Sequence, residues 1–110
     1  MKVIDLIKEL DLVKITDSFD ENTEFTGVYI GDLLSLVMSR AKQGDIWITI
    51  QTHINVVAVA DLLDLSAILV AEGMEIDEDT IIKANDLELP ILQSKMSAYE
   101  LACGINRLGI

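Results

Sequence analysis

The sequence predicts a single α/β domain in which a mostly parallel sheet of four to five strands is covered by helices. From Thr26 to the end of the chain, short β-branched segments alternate with helical segments of about ten residues, which is the pattern of strand–helix–strand units. The runs Ile46–Ile50 and Ala67–Ala71 are apolar almost throughout, as expected of strands covered on both faces. A length of 110 residues suits one domain, residues 1–110.

The first part of the chain predicts a helix, a short strand, a loop rich in acidic and turn-forming residues, and then a strand followed by a helix. Asp32 stands directly before the second helix, where its side chain is a suitable N-cap. In chain order, these predicted elements are the helix Met1–Leu10, the strand Leu12–Thr16, the loop Asp17–Glu24, the strand Thr26–Ile30 and the helix Leu33–Lys42.

The second part of the chain repeats the alternation of strand and helix three times. Thr52 is a suitable cap for the first of these helices, and Ser97 with Glu100 forms a capping box at the last one, which Gly109 ends. The predicted elements are the strand Ile46–Gln51, the helix His53–Leu63, the strand Ser66–Ala71, a helix that begins near Asp77, the strand Pro90–Gln93 and a helix from Ala98 to Leu108.

The helix that follows Thr52 carries apolar residues around most of its circumference. A helix of this kind is expected to be buried on all sides, and a chain of this size offers little room for that. One interpretation is a homodimer in which this helix packs against a second copy of the chain, with candidate interface residues Ile54, Val57, Ala58 and Leu62. The alternative is a central, buried position for the helix within the monomer.

The net charge of −11, from 19 acidic and 8 basic residues, argues against binding to nucleic acids or to anionic membranes, because both need a basic surface. Solubility is the simpler explanation of this acidity, and a basic protein partner is the alternative. No apolar run is long enough to span a bilayer, and the first residues lack the apolar core of a signal peptide. We therefore expect a cytoplasmic protein.

Motifs for catalysis, for metals and for cofactors are missing from the sequence. No phosphate-binding P-loop is present. His53 is the single histidine and Cys103 the single cysteine, and no local motif marks either as part of a nucleophilic triad. No calcium-loop pattern occurs, and one cysteine excludes metal sites built on several. We therefore expect no cofactor, no bound metal and no catalysis by this chain.

A ligand site is predicted where the strands of the sheet end. Ligands of parallel α/β sheets bind beyond the carboxyl ends of the strands, where the backbone N–H groups of the next helix are free. The turn after the strand Ile46–Ile50 groups a hydroxyl, an imidazole and two amides, which suit a small anion or a nucleotide. Helix capping by Thr52 is the alternative explanation of this turn. Together with the ends of the two neighbouring strands, the candidate ligand-binding residues are Gln51, Thr52, His53, Asn55, Glu72, Gly73, Ser94 and Lys95.

The segments from about Gly27 to the C-terminus together resemble the DRTGG domain, in the order and spacing of their elements. The segments that carry the resemblance are Gly44–Ile50, the apolar helix after it, Ala67–Gly73, Leu89–Ser94 and Ser97–Glu100. DRTGG domains accompany CBS-domain pyrophosphatases and phosphotransacetylases, and they resemble the N-terminal domain of HPr serine kinase/phosphorylase. The resemblance implies a regulatory, often dimerising α/β module.

This sequence departs from the motifs that give the DRTGG family its name. Thr52-His53 stands where the resemblance expects Asp-Arg, and Ala71-Glu72-Gly73 stands where it expects Thr-Gly-Gly. The missing arginine removes an anion-binding charge. The HPr kinase activity is not implied either, because it needs a P-loop domain that this sequence lacks.

Two functional hypotheses follow from the sequence, and an enzyme with a carboxylate-based site is a third, less favoured one. The first is a stand-alone regulatory or assembly domain, dimeric, that acts through protein contacts or a small effector and has no catalysis of its own. The second is a nucleotide or phosphometabolite sensor that binds its ligand at the turn around Thr52–Asn55.

Overall fold

The computed structural model describes residues 1–110 as one five-stranded sheet with helices on both faces. The strands are β1 (Val13–Lys14), β2 (Gly27–Ile30), β3 (Asp45–Thr49), β4 (Ala67–Val70) and β5 (Ile91–Gln93). The helices are α1 (Val3–Leu10), α2 (Leu34–Arg40), α3 (Asn55–Leu62), α4 (Glu78–Asp86) and α5 (Ala98–Arg107). None of the five helices is long and apolar enough to cross a membrane.

The strands follow the order β1-β5-β4-β3-β2, and the four strands β2 to β5 are parallel. The predicted α/β fold with a mostly parallel sheet is therefore confirmed. Each parallel strand after β2 joins the same edge of the growing sheet. Because such crossovers are right-handed, the three connecting helices α2, α3 and α4 cover one face, and α1 and α5 cover the other. The short strand β1 closes the far edge, antiparallel to β5.

The interior strands β3 and β4 supply much of the core, because every residue of both is buried. Side chains of a strand alternate between the two faces of the sheet. Trp47 accordingly packs with α2, α3 and α4, whereas its neighbours Ile46 and Ile48 pack with α1 and α5. Each face of the sheet thus has its own apolar cluster. Because both faces of β3 and β4 are buried, their sequences do not alternate between apolar and polar residues.

Helix α3 lies between α2 and α4 in the layer that covers one face of the sheet. Its buried side chains are Val56, Val57, Val59 and Ala60. The wide apolar surface of this helix is therefore largely covered within the monomer, as the alternative interpretation of its sequence proposed.

The capping predictions are right for one helix and wrong for two others. Ser97 Oγ accepts the N–H of Glu100 at 3.2 Å, and the Glu100 carboxylate accepts the N–H of Ser97 at 3.2 Å. Gly109 follows α5 with a φ of +97°. Neither Asp32 nor Thr52 is an N-cap, however, because α2 and α3 begin after Leu33 and Ile54 without a side-chain cap.

Thr16, which is fully buried, connects the N-terminal segment of the chain to the sheet through side-chain hydrogen bonds. Its hydroxyl donates to the Leu89 carbonyl at 3.0 Å and accepts the N–H of Ile91 at 2.8 Å. The strand predicted for residues 12–16 is only two residues long. After Lys14 the N–H groups of Ile15 and Thr16 still donate to the Ile91 carbonyl, and the Thr16 side chain adds its two hydrogen bonds at the start of β5.

Candidate functional site

The carboxyl ends of the parallel strands lie side by side at one edge of the sheet, here called the carboxyl edge. The turns after β2, β3, β4 and β5 occur along it in that order, since neighbouring strands in the sheet are also consecutive in the chain. Adjacent strands are about 4.8 Å apart. The predicted ligand-binding residues thus occupy three neighbouring turns, and their hydrogen bonds show which of them are available to a ligand.

Asp32 fastens the turn after β2 to the end of β3. Its Oδ1 atom accepts the Thr49 hydroxyl at 2.8 Å and the N–H of Ile50 at 3.0 Å. The Gln51 amide donates to the backbone carbonyl of Asp32 at 3.0 Å. The side chain of Asp32 therefore pairs with the end of β3 and not with the start of α2, and one N–H group of the Gln51 amide is already in use.

Thr52 and His53 connect the turn after β3 to the start of α4. The carbonyl of Thr52 accepts the Thr80 hydroxyl at 2.9 Å, and His53 Nδ1 lies 2.9 Å from Asp77 Oδ2. His53 and Asp77 are both exposed. The Thr52 carbonyl and the His53 ring thus hold the start of α4 against the turn that precedes α3. Asn55, the first residue of α3, is exposed beside them.

The turns after β4 and β5 are joined by backbone hydrogen bonds. The N–H of Glu72 donates to the Met96 carbonyl at 2.9 Å, and the N–H of Gly73 donates to the Ser94 carbonyl at 2.8 Å. Gly73 has a φ of +64°, and a Cβ atom at this position would lie 3.6 Å from Cγ of Lys95. That distance is an ordinary van der Waals contact, so the positive φ, and not a lack of space, favours glycine at this position.

A cleft of about 430 Å³ lies at the end of β5, where the chain also leaves α1. Its lining residues are Leu10, Asp11, Val13, Gln93, Ser94, Lys95 and Met96. Lys95 is exposed and forms no ion pair within the chain. We call this feature the β5 cleft.

The β5 cleft includes only two of the eight predicted ligand-binding residues, Ser94 and Lys95. None of the four clefts in the structure is lined by the other six. Sequence reasoning missed the other five lining residues, of which Leu10, Asp11 and Val13 reach the cleft because β1 lies beside β5. Strand β1 has only two residues, and no turn motif links it to β5. The sequence therefore gave no signal that these two strands pair.

The groups most suited to catalysis are not brought together. Cys103 lies on α5, which covers the face of the sheet opposite α3, whereas His53 precedes α3. A hydrogen bond and a charge interaction with the Cys103 thiol, one helical turn away, raise the pKa of the exposed Tyr99. No three His, Cys, Asp or Glu side chains converge in an arrangement that could hold a metal ion.

The candidate interface residues on α3 divide into two sets. Ile54, Ala58 and Leu62 are exposed, and their spacing of four residues places them along one side of the helix. Leu62 is 70% exposed. Val57 is fully buried against the sheet, so its assignment to an interface was wrong, because the width of the apolar surface reflects the central position of α3.

Fold and site together describe a small α/β module that has a cleft at the carboxyl edge of its sheet. No protein-family model matches the sequence, and no curated protein matches it. Among solved structures, the chain is similar to the CBS and DRTGG domains of the regulatory region of Clostridium perfringens pyrophosphatase, which was solved in complex with its activator, diadenosine tetraphosphate. The TM-score is 0.73 at 14% sequence identity, over 94% of this chain and 45% of that one.

This similarity shows the fold, and the DRTGG-like resemblance inferred from the sequence is confirmed at that level. This chain spans less than half of the matched regulatory region.

Proposed function

We propose that the chain is a non-catalytic regulatory domain that binds a small anionic effector in the β5 cleft. The observation that carries this proposal is Lys95, a cation without an ion-pair partner that lines a cleft at the carboxyl edge. Ligands of parallel α/β sheets bind at this edge. Among the eight predicted ligand-binding residues, Lys95 is the only cation.

The chemistry of the β5 cleft favours a nucleotide over a simple phosphate ion. Lys95 offers a positive charge to a phosphate group, whereas Asp11 and the backbone around it offer acceptors. An effector with both anionic oxygens and hydroxyl or amine donors fits this pair better than one with anionic oxygens alone. The nucleotide bound by the structurally similar regulatory region supports the same class of ligand.

We expect nucleotides to raise the melting temperature of the protein, and Lys95→Ala to abolish the effect. Saturation at a hundredfold excess over Kd stabilises a protein by about 2.7 kcal/mol, which corresponds to a shift of several degrees. The measurement is a thermal-shift titration with ATP, ADP, diadenosine tetraphosphate and inorganic phosphate. Lys83→Ala is the matched control, because Lys83 is an exposed lysine on α4 outside the four clefts.

A second variant separates the two candidate ligand sites. If His53→Ala removes the thermal shift while Lys95→Ala keeps it, the effector binds at the turn Thr52–Asn55, and the chain is a sensor of the second kind predicted from the sequence. If no probe shifts the melting temperature, the effector proposal is wrong and regulation proceeds through protein contacts. Turnover of any of these nucleotides by the purified chain would contradict a non-catalytic role.

We also propose that the domain forms a homodimer through α3. The support is the exposed apolar row Ile54, Ala58 and Leu62 on the central helix of its layer. Neighbouring exposed apolar residues on α2 extend the same layer, among them Leu36 and Met38. A row of this kind buries apolar surface when two copies pack around a two-fold axis.

Leu62→Glu is expected to convert the dimer into a monomer at micromolar concentration, because it introduces a charge into an apolar contact. Sedimentation velocity of the purified protein measures the change. Tyr99→Glu, on the exposed side of α5 at the opposite face of the sheet, serves as the control and should leave the dimer intact. A monomeric wild-type protein, or a dimer disrupted by Tyr99→Glu alone, would rule out an interface on α3.

A further inference from the structure

Strand β2 is an open edge of the sheet. It pairs with β3 on one side and with no strand on the other. Gly31, directly after β2, donates its N–H to the Ile48 carbonyl at 3.2 Å. Because residues of a parallel strand alternate between their two neighbours, Val28 and Ile30 direct their N–H and C=O groups away from β3. These groups can pair with an added strand.

Natural sheets usually protect such an edge with charged residues, with proline or by making the strand very short. The opposite edge, β1, has two residues, and one of them is Lys14. In contrast, β2 reads Gly-Val-Tyr-Ile and contains neither a charge nor a proline. Ile30 is 47% exposed. The β2 edge therefore lacks the features that prevent pairing with another segment.

Two clefts flank β2, one on each face of the sheet. The cleft beside α2 measures about 410 Å³ and contains Arg40 and Lys42, whereas the cleft beside α5 measures about 460 Å³ and is mostly apolar. Both clefts include residues 26–28 of the edge. The remaining residues of the first cleft are Tyr29, Gln43 and Asp45, and those of the second are Ile30, Ala102, Ile105, Asn106 and Ile110.

The charges of the cleft beside α2 are unbalanced. Arg40 and Lys42 form no ion pair, although the chain has 19 acidic residues. The one acid in this cleft, Asp45, is buried, and its carboxylate accepts the N–H of Lys42 at 2.9 Å. Gln43 is also occupied, since its amide donates to Asp64. The two cations therefore remain available to an acidic group from outside the chain.

We propose that the β2 edge binds an extended, acidic segment of a partner protein as a sixth strand. The side chains of an added strand alternate between the two faces of the sheet. Acidic side chains on one face lie against Arg40 and Lys42, and apolar side chains on the other face enter the cleft beside α5. The partner segment is thus recognised by alternating acidic and apolar residues, independently of the β5 cleft and of α3.

The probe for this proposal is a fluorescein-labelled peptide of alternating Glu and Val residues, with a peptide of alternating Lys and Val as its control. Fluorescence anisotropy should give a Kd below about 1 mM for the acidic peptide and no saturation for the basic one. The double variant Arg40→Glu, Lys42→Glu should weaken binding by about tenfold or more. The double variant Lys8→Glu, Lys83→Glu changes the net charge equally outside both clefts and should bind as the wild type does.

Val28→Pro tests the backbone pairing separately from the charges. It removes an outward N–H group, and proline is tolerated in an edge strand at such a position. Binding should be lost while the circular dichroism spectrum and the melting transition remain those of a folded protein. If the variant is unfolded, amide shifts of Val28 and Ile30 in the wild-type protein on peptide addition replace it.

Three results would overturn the proposal. The first is equal binding of the acidic and basic peptides, and the second is an equal loss in both double variants, because each means that the cleft beside α2 does not select the charge. The third is a wild-type dimer that Val28→Pro dissociates, which would assign the β2 edge to a second copy of the chain.

Discussion

Trp47→Ala should lower the free energy of unfolding by about 4 kcal/mol, the middle of the range for removing a buried aromatic side chain. Trp47 is fully buried on β3, in the apolar cluster between the sheet and α2, α3 and α4. Its indole N–H donates to the Gly31 carbonyl at 2.8 Å. The substitution leaves a large cavity beneath α3 and removes the partner of that carbonyl. A loss of about 4 kcal/mol corresponds to a fall in Tm of roughly 20 °C. It is a large part of the total stability of a domain of this size, about 5–15 kcal/mol.

Urea and thermal denaturation followed by circular dichroism measure this loss, because Trp47 is the single tryptophan and its fluorescence disappears with it. Trp47→Phe is the matched control. It keeps most of the aromatic volume and loses the hydrogen bond, so a smaller cost of about 1–2 kcal/mol is expected. A Trp47→Ala protein within 1 kcal/mol of the wild type would contradict the packing described for this face of the sheet.

Thr16→Val is expected to destabilise the domain by about 2–4 kcal/mol. The variant keeps the shape of the side chain but leaves the carbonyl of Leu89 and the N–H of Ile91 without the hydroxyl that now pairs with both. Each buried polar group that loses its partner costs about 1–3 kcal/mol. Urea denaturation measures the change.

Thr16→Ser separates the contribution of the hydroxyl to stability from that of the methyl group. It retains both hydrogen bonds and removes one buried methyl, for a cost of about 1 kcal/mol. Equal stabilities of the Val and Ser variants would mean that the two hydrogen bonds contribute little and that the N-terminal segment is held by its apolar residues instead.

The fold could be predicted because the core of this protein is encoded locally. The apolar runs of β3 and β4 identify strands buried on both faces, and the capping box at Ser97 fixes the start of α5. Asp32 and Thr52 have the right residue types for caps, and yet both were assigned wrongly. The Asp32 carboxylate pairs with Thr49 on another segment, and α3 begins three residues after Thr52, whose backbone carbonyl accepts from Thr80. A single sequence does not indicate such partners.

The candidate site was predictable in part for a related reason. The rule that ligands bind at the carboxyl edge selected three turns, which lie side by side in the structure, but it does not reveal which turn has an open cleft. The turn with His53 is the richest in polar residues, and its hydrogen bonds to the start of α4 come from the His53 ring and the Thr52 backbone carbonyl. No cleft is lined by this turn. The cleft at Lys95 depends on the return of β1 beside β5, a pairing between residues 13–14 and 92–93.

The sheet order has a consequence for how the chain folds. The strands β2 to β5 each pair with the next one along the chain, so every parallel pair closes a short loop and can form as soon as its helix has been made. The antiparallel pair of β1 and β5 joins the two ends of the chain, and it cannot form during synthesis until β5 has left the ribosome. We expect β1 to dock last, so substitutions at Thr16 should accelerate unfolding and leave the refolding rate nearly unchanged. Stopped-flow kinetics of Thr16→Val test this order of events, and slower refolding would contradict it.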